Sequence, residues 1–172
     1  MWKMQITSEQ EFNRYSISLA DFEKASECVA EARKRLPNDL VFEALLFMAI
    51  IAYYRPFSPN EKSKPNLKAT SRLNLEHLIV PSAHEKKIHI ECETLRNKAL
   101  AHSEFAYNPT SLKSSTGVIS SMRFSLLTQQ FDLDGLAKLL KKLEEACHSK
   151  RATYFSRCVR TQADERSKGH RP

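Results

Sequence analysis

LVFEALLFMAIIAYYR, residues 40–55, is apolar around nearly the whole circumference of a helix. Val41, Phe42, Leu45, Phe47, Met48, Ile50 and Ile51 fall on all sides, and Glu43 is the one charged residue before Arg55. A helix with no polar face belongs in the middle of a bundle or in an interface between copies. No stretch of 18 or more apolar residues occurs in the chain, so the expectation is a core helix and no membrane partner. Pro56 and Pro59 end it, because a proline disfavours the helical conformation of its predecessor.

On the amino-terminal side, Leu19, Phe22, Val29 and Leu36 recur at helical spacing among charged residues and predict an amphipathic helix over Ser18–Leu36. Pro37 stops that helix, and Asn38 or Asp39 can cap the next by accepting backbone N–H bonds. On the carboxyl side, SPNEKSKPNLKATSR at 58–72 is polar and proline-punctuated and reads as an exposed loop of net charge +3. Leu73–Val80 is a short apolar segment of one or two helical turns. Ser82 and Glu85 then form a capping box, opening a helix from Ala83 to about His102 with a stripe of Ile88, Cys92, Leu95 and Ala99.

Between Glu104 and Phe131 the period changes. Val118, Met122, Phe124 and Leu126 share one parity and Ser121, Arg123 and Ser125 the other, which suits a half-buried strand, and a small β-hairpin with Phe105–Tyr107 would make an insertion near 104–130. From Asp134 the helical period returns through Leu136, Leu140, Leu143, Cys147, Tyr154 and Cys158. Beyond Thr161 no apolar anchor remains. The expectation is an all-α fold, one helical domain over 1–161 with a basic disordered tail at 162–172.

Composition bounds the rest. A chain of 172 residues with 3 glycines and 41% hydrophobic residues suits one helix-rich domain. The net charge of +7 is uneven: residues 149–172 carry +5 and the first 148 only +2. A basic tail of this kind raises affinity for a phosphate backbone without specifying sequence, or simply keeps the chain in solution. The opening MWKMQITSEQEF lacks the apolar centre of a secretory signal, and a cytoplasmic location is expected.

Cys28, Cys92, Cys147 and Cys158 have no CxxC pairing, so reduced and mostly buried thiols are expected. His89 and Cys92 lie three apart but no second pair completes a metal site, and neither a metal nor a cofactor is expected. GxGxxG, P-loop, GxSxG and HExxH patterns are absent, which removes the support for ATP hydrolysis or zinc-dependent hydrolysis.

One string remains, LRNKALAHS at 95–103. On an α-helix six residues place Arg96 and His102 about 120° apart, flanking the stripe that contains Leu95 and Ala99. Arg supplies a planar fork of donors that stays charged and fits phosphate oxygens, and His exchanges a proton near neutral pH. RNA cleavage needs little else when the substrate's 2′-hydroxyl is the nucleophile. Asn97 could add a neutral donor or orient His102. In the plainer account His102 ends a buried stripe and Arg96 pairs with Glu93. Tyr53, Tyr54 and Arg55, a pair of aromatics beside a guanidinium at the end of the apolar helix, could stack on a base or, in the plainer account, are core aromatics with a surface Arg; Lys98 joins Tyr54 and Arg55 as a candidate substrate contact.

LRNKALAHS resembles the R-N-x(4)-H form of the signature of the HEPN superfamily (higher eukaryotes and prokaryotes nucleotide-binding), with Ser103 and Glu104 similar to the polar turn of abortive-infection-type members. The resemblance is sharp over about ten residues and rests on helix order over residues 18–160. It implies an antiparallel four- or five-helix bundle and a homodimer that joins two copies of the motif. It further implies a metal-independent endoribonuclease, a toxin or defence effector with a possible antitoxin protein as partner. Arg96 and His102 would then be catalytic, Asn97 supporting, and the product a 2′,3′-cyclic phosphate. The alternative is a non-catalytic dimeric helical module that binds a partner protein or nucleotide.

Overall fold

The first helix, α1 (Ser8–Ala32), begins ten residues before the expected Ser18. Its early turns carry two aromatic anchors, Phe12 and Tyr15, which find partners only at the far end of the chain: Phe12 lies 5.9 Å from Phe155 and Tyr15 stacks on Tyr154 at 5.7 Å. The computed structural model describes residues 8–37, 39–58, 72–100, 110–113, 118–121, 125–126 and 130–168; at 8–9, 98–100, 110–113, 118–121 and 157–168 it describes the backbone alone. Over these residues the chain is mostly helical, in agreement with the all-α expectation at that level.

Leu19, Phe22 and Val29 are buried as the period predicts, whereas Leu36 is 73% exposed because α1 has already ended at Ala32. Lys34 and Arg35 donate their N–H groups to Glu31 and Ala32, three residues back, and tighten the chain ahead of Pro37. Asp39 then caps α2 (Leu40–Tyr54), its carboxylate accepting from the Val41 N–H at 2.9 Å. A 3-10 turn, Arg55–Phe57, follows with Pro56 near its start. By length and composition Leu40–Phe57 resembles a membrane-crossing helix, with mean hydropathy 1.6. Within the fold Leu46, Ala49, Ile50, Ala52, Tyr53 and Tyr54 are buried in the core that α1, α4 and α5 share.

Leu73 lies at the end of α2, where its N–H donates to the Pro56 carbonyl at 2.9 Å. A single helical turn, α3 (Leu75–Leu78), is capped by Asn74, and Ser82 opens α4 (Ala83–Thr94) with both halves of the expected capping box in place. Glu85, the box carboxylate, also pairs with Lys142 at 2.5 Å and so ties the start of α4 to α5. Ile88, Cys92 and Leu95 form the buried stripe.

Beyond Thr94 the expectation of an α-helix to His102 is corrected: residues Leu95–Leu100 form a π-helix. The side chain of Ala99 and all of His102 lie outside the described residues. In the 104–131 stretch, β1 (Thr110–Lys113) pairs antiparallel with β2 (Val118–Ser121), with Thr110 opposite Ser121 and Lys113 opposite Val118. The partner of β2 is therefore 110–113, whereas the expected partner, Phe105–Tyr107, lies outside the described residues. Met122 and Phe124 lie there too, while Leu126 is buried, and its N–H at 2.8 Å and the Ser125 hydroxyl at 2.5 Å both donate to Glu43, the one acid of α2.

The last helix, α5 (Leu133–Lys168), runs seven residues past the expected boundary at 161. Gln162, Ala163, Glu165, Arg166 and Lys168 are strong helix formers, so the helix continues there on propensity without an apolar anchor. Residues 169–172 of the expected tail lie outside the described residues. Leu136, Leu139, Leu140, Leu143 and Cys147 are all fully buried. Asp132 caps this helix, accepting from the Gly135 N–H at 2.8 Å. A side chain at Gly135 would run into the Asp132 carboxylate and Ile88, so glycine is what lets α5 approach α4 here. The order of contacts from Phe12–Phe155 through Tyr15–Tyr154 and Ser26–Glu144 to Arg33–Asp134 makes α1 and α5 antiparallel.

Candidate functional site

His89 and Glu93 of α4, four apart, share one side of that helix beside the Ile88–Cys92 stripe, and Arg96 follows three residues on, just past its end. They face the carboxyl end of α2. The Tyr53 hydroxyl is bonded to His89 Nδ1 at 2.8 Å, and the Tyr54 hydroxyl donates to the Glu93 carboxylate. Two consecutive tyrosines of α2 thus reach two residues one turn apart on α4.

The two pairs differ in surroundings. Tyr53 is fully buried, and Phe57 meets the edge of the His89 ring at 4.7 Å. Burial holds the His89 imidazole below its ordinary pKa, so the ring is neutral around pH 7 and serves packing. Tyr54 borders a pocket of about 300 Å³ that Phe57, Arg72, His89, Ile90 and Glu93 help to line. Burial first, then the bond to Glu93, pushes the Tyr54 hydroxyl well above its ordinary pKa, so it remains a donor. Arg72 and Arg96 both act on that hydroxyl electrostatically in the opposite sense.

Arg96 sits at the second residue of the π-helix, and its Nη1 donates to Asn97 Oδ1 at 2.8 Å. The neighbouring amide therefore steadies the guanidinium and uses one of its five donors. The arithmetic of 100° per residue does not carry from Arg96 to His102, because a π turn holds more residues than an α turn. π-helical segments are rare and recur at functional sites.

The other expected residues divide. Tyr54 lies at the pocket. Arg55 does not: it pairs with Asp21 on α1 at 2.7 Å, where a buried carboxylate takes the guanidinium. Lys98 lies on the π-helix with its side chain outside the described residues, and His102 lies wholly outside them. Glu93, which the sequence offered only as a plain partner for Arg96, is the carboxylate that reaches Tyr54. The four-three spacing of His89, Glu93 and Arg96 was the signal that could have found it.

Among the described residues no group of three or more His, Cys, Asp or Glu could hold a metal ion. Cys28, Cys92 and Cys147 are free and buried, and burial pushes the Cys147 thiol up to about 12, so none of the three is poised as a nucleophile. Cys158 has no described side chain. Compared with family models, curated proteins and solved structures, the chain gives no match.

Proposed function

We propose that the protein is a metal-independent endoribonuclease of the HEPN kind, acting as a homodimer, a toxin or defence effector of the cytoplasm. The observation that carries the reading is the RNKALAH string, with Arg96 held by Asn97 at the start of a π-helix and its charge acting on the Tyr54 hydroxyl. In this reading α1, α2, α4 and α5 are the antiparallel bundle, and the 110–121 hairpin is an insertion beside the motif.

The chemistry needs no group from outside the protein and its substrate. His102 takes the proton from a ribose 2′-hydroxyl, whose oxygen attacks the adjacent phosphorus. Arg96 stabilises the charge that gathers on the phosphate oxygens, and the 5′-oxygen departs with a proton returned by a protonated imidazole. The products are a 2′,3′-cyclic phosphate and a 5′-hydroxyl. Two motifs across a dimer supply both imidazoles, and Asn97 acts by aligning Arg96.

A face of α2 supports pairing of two copies: Leu40, Val41 and Met48 are 76%, 45% and 44% exposed on a helix otherwise built for a core. The same face favours a second reading, a non-catalytic dimeric module that binds a partner protein such as an antitoxin, or a nucleotide. Incubation of purified protein with mixed single-stranded RNA in EDTA separates the two. Cleavage by the wild type that His102→Ala abolishes, with folding kept, is the expected result. No cleavage by wild type, or equal cleavage by the variant, ends the ribonuclease reading.

A further inference from the structure

We propose that the pocket beside Tyr54 is a nucleobase subsite that selects guanine. Its place in RNA cleavage rests on the ribonuclease reading, while its binding of the base stands on the pocket alone. At about 300 Å³ the pocket is at the small end of ligand sites and suits a single flat group. Its walls are aromatic: the Tyr54 ring lies 5.6 Å from His89 and 6.0 Å from Phe57, and unstacked RNA bases are held on surfaces of this kind.

Charge argues for a base in preference to a phosphate. Arg72 and Lys86 are balanced by Glu76 and Glu93 around the pocket, and Lys86 is bonded to Glu76 at 2.6 Å. A phosphate would meet no net positive charge. A neutral base with a polar edge meets an acceptor and a donor instead.

The edge those two groups fit is that of guanine. The Tyr54 hydroxyl takes one of the acceptor positions of Glu93 and leaves the others for two parallel N–H groups. Guanine presents N1–H and N2–H side by side, with O6 next to them for a cation such as Arg72. Adenine and cytosine place a ring acceptor beside their amino group, and uracil flanks its single N–H with two carbonyls. Each of these sets an acceptor against the carboxylate.

Calorimetric titration of the full chain with GMP, AMP, CMP and UMP tests this, since the four share one phosphate and differ in the base. GMP is expected to bind more tightly than the others, on the order of ten-fold or more. Glu93→Gln should remove that preference. Ile90→Trp, at a pocket residue that is 59% exposed, should block GMP while leaving the melting temperature in place. Equal affinity for all four nucleotides, or GMP binding indifferent to Ile90→Trp, overturns the proposal. GMP binding by a protein that cuts no RNA would end the ribonuclease reading and leave the subsite standing. RNA cleavage with no GMP binding would do the reverse.

Discussion

Helix α1 meets α5 in a different way from the one in which α2 meets α4. Between α1 and α5 the buried groups are Leu, Phe, Val and Cys side chains, closed at one end by the stacked Tyr15–Tyr154 and tilted Phe12–Phe155 pairs. Polar contacts there, Ser26–Glu144 and Arg33–Asp134, stay at the margin. Between α2 and α4 two hydroxyls reach across to an imidazole and a carboxylate, and the second pair opens onto a pocket. Burial of apolar surface makes the first seam strong and chemically inert. Bonded polar groups make the second specific and able to face a ligand, with less apolar surface removed from water.

If that division holds, the largest effect belongs to Arg96→Ala. RNA cleavage should fall by about 10²–10³-fold, the range for loss of one stabiliser of developing charge, with the melting temperature little changed. Measured cleavage rates and thermal melts on one preparation decide it. A large drop in melting temperature would instead make Arg96 a structural residue.

Next is the inert seam. Leu140→Ala, at a fully buried site on α5, should reduce stability by about 2–5 kcal/mol in denaturant unfolding. Cleavage per folded molecule should not change. Loss of activity beyond the loss of folded protein would show that the two seams are coupled.

Tyr53→Phe comes third, with about 1–3 kcal/mol lost because His89 Nδ1 is left without its partner. The pH dependence of this seam has a definite sign. Above about pH 6.5 the imidazole is neutral whether the chain is folded or not. Below that the unfolded chain takes up a proton that burial denies the folded one, so stability falls until the lowered folded pKa is passed and then levels off. His89→Asn should flatten that part of the stability profile, and an unchanged profile would mean that the ring is not shielded.

The smallest effect is at Glu85, whose bond to Lys142 first and to the Ser82 backbone second holds its carboxyl below the ordinary range. A lowered folded pKa adds stability that is fully present above about pH 4.3 and disappears as pH falls through the folded value. Glu85→Gln should remove at most about 1 kcal/mol at pH 7, since Lys142 is half exposed, and should do so without weakening the α2–α4 seam. Urea midpoints at pH 7 and pH 3 measure both.

What could be read in the sequence follows the same division. Local patterns carried far: Asp39 and the Ser82–Glu85 box open their helices as their chemistry requires, and the Leu136–Leu140–Leu143–Cys147 stripe is buried throughout. Features set by distant partners did not. The early start of α1 depends on Phe155 and Tyr154, more than 130 residues away, and the diversion of Arg55 depends on Asp21, 34 residues away. The site was legible as residue types and half legible as geometry. Tyr54 borders the pocket and Arg96 acts on its hydroxyl, whereas the π-helix leaves no mark in residue periodicity.

That π-helix is in effect a single inserted residue, because one turn holds one residue more than the α-helical ladder before it. Length, and not only side-chain identity, is therefore part of the motif. Deleting one residue between Asn97 and Leu100 would let the chain run on as an ordinary α-helix. Everything after it would then be turned by about 100° relative to Arg96. A variant with every motif side chain intact could lose the alignment of its two halves through a shift of reading along the helix alone.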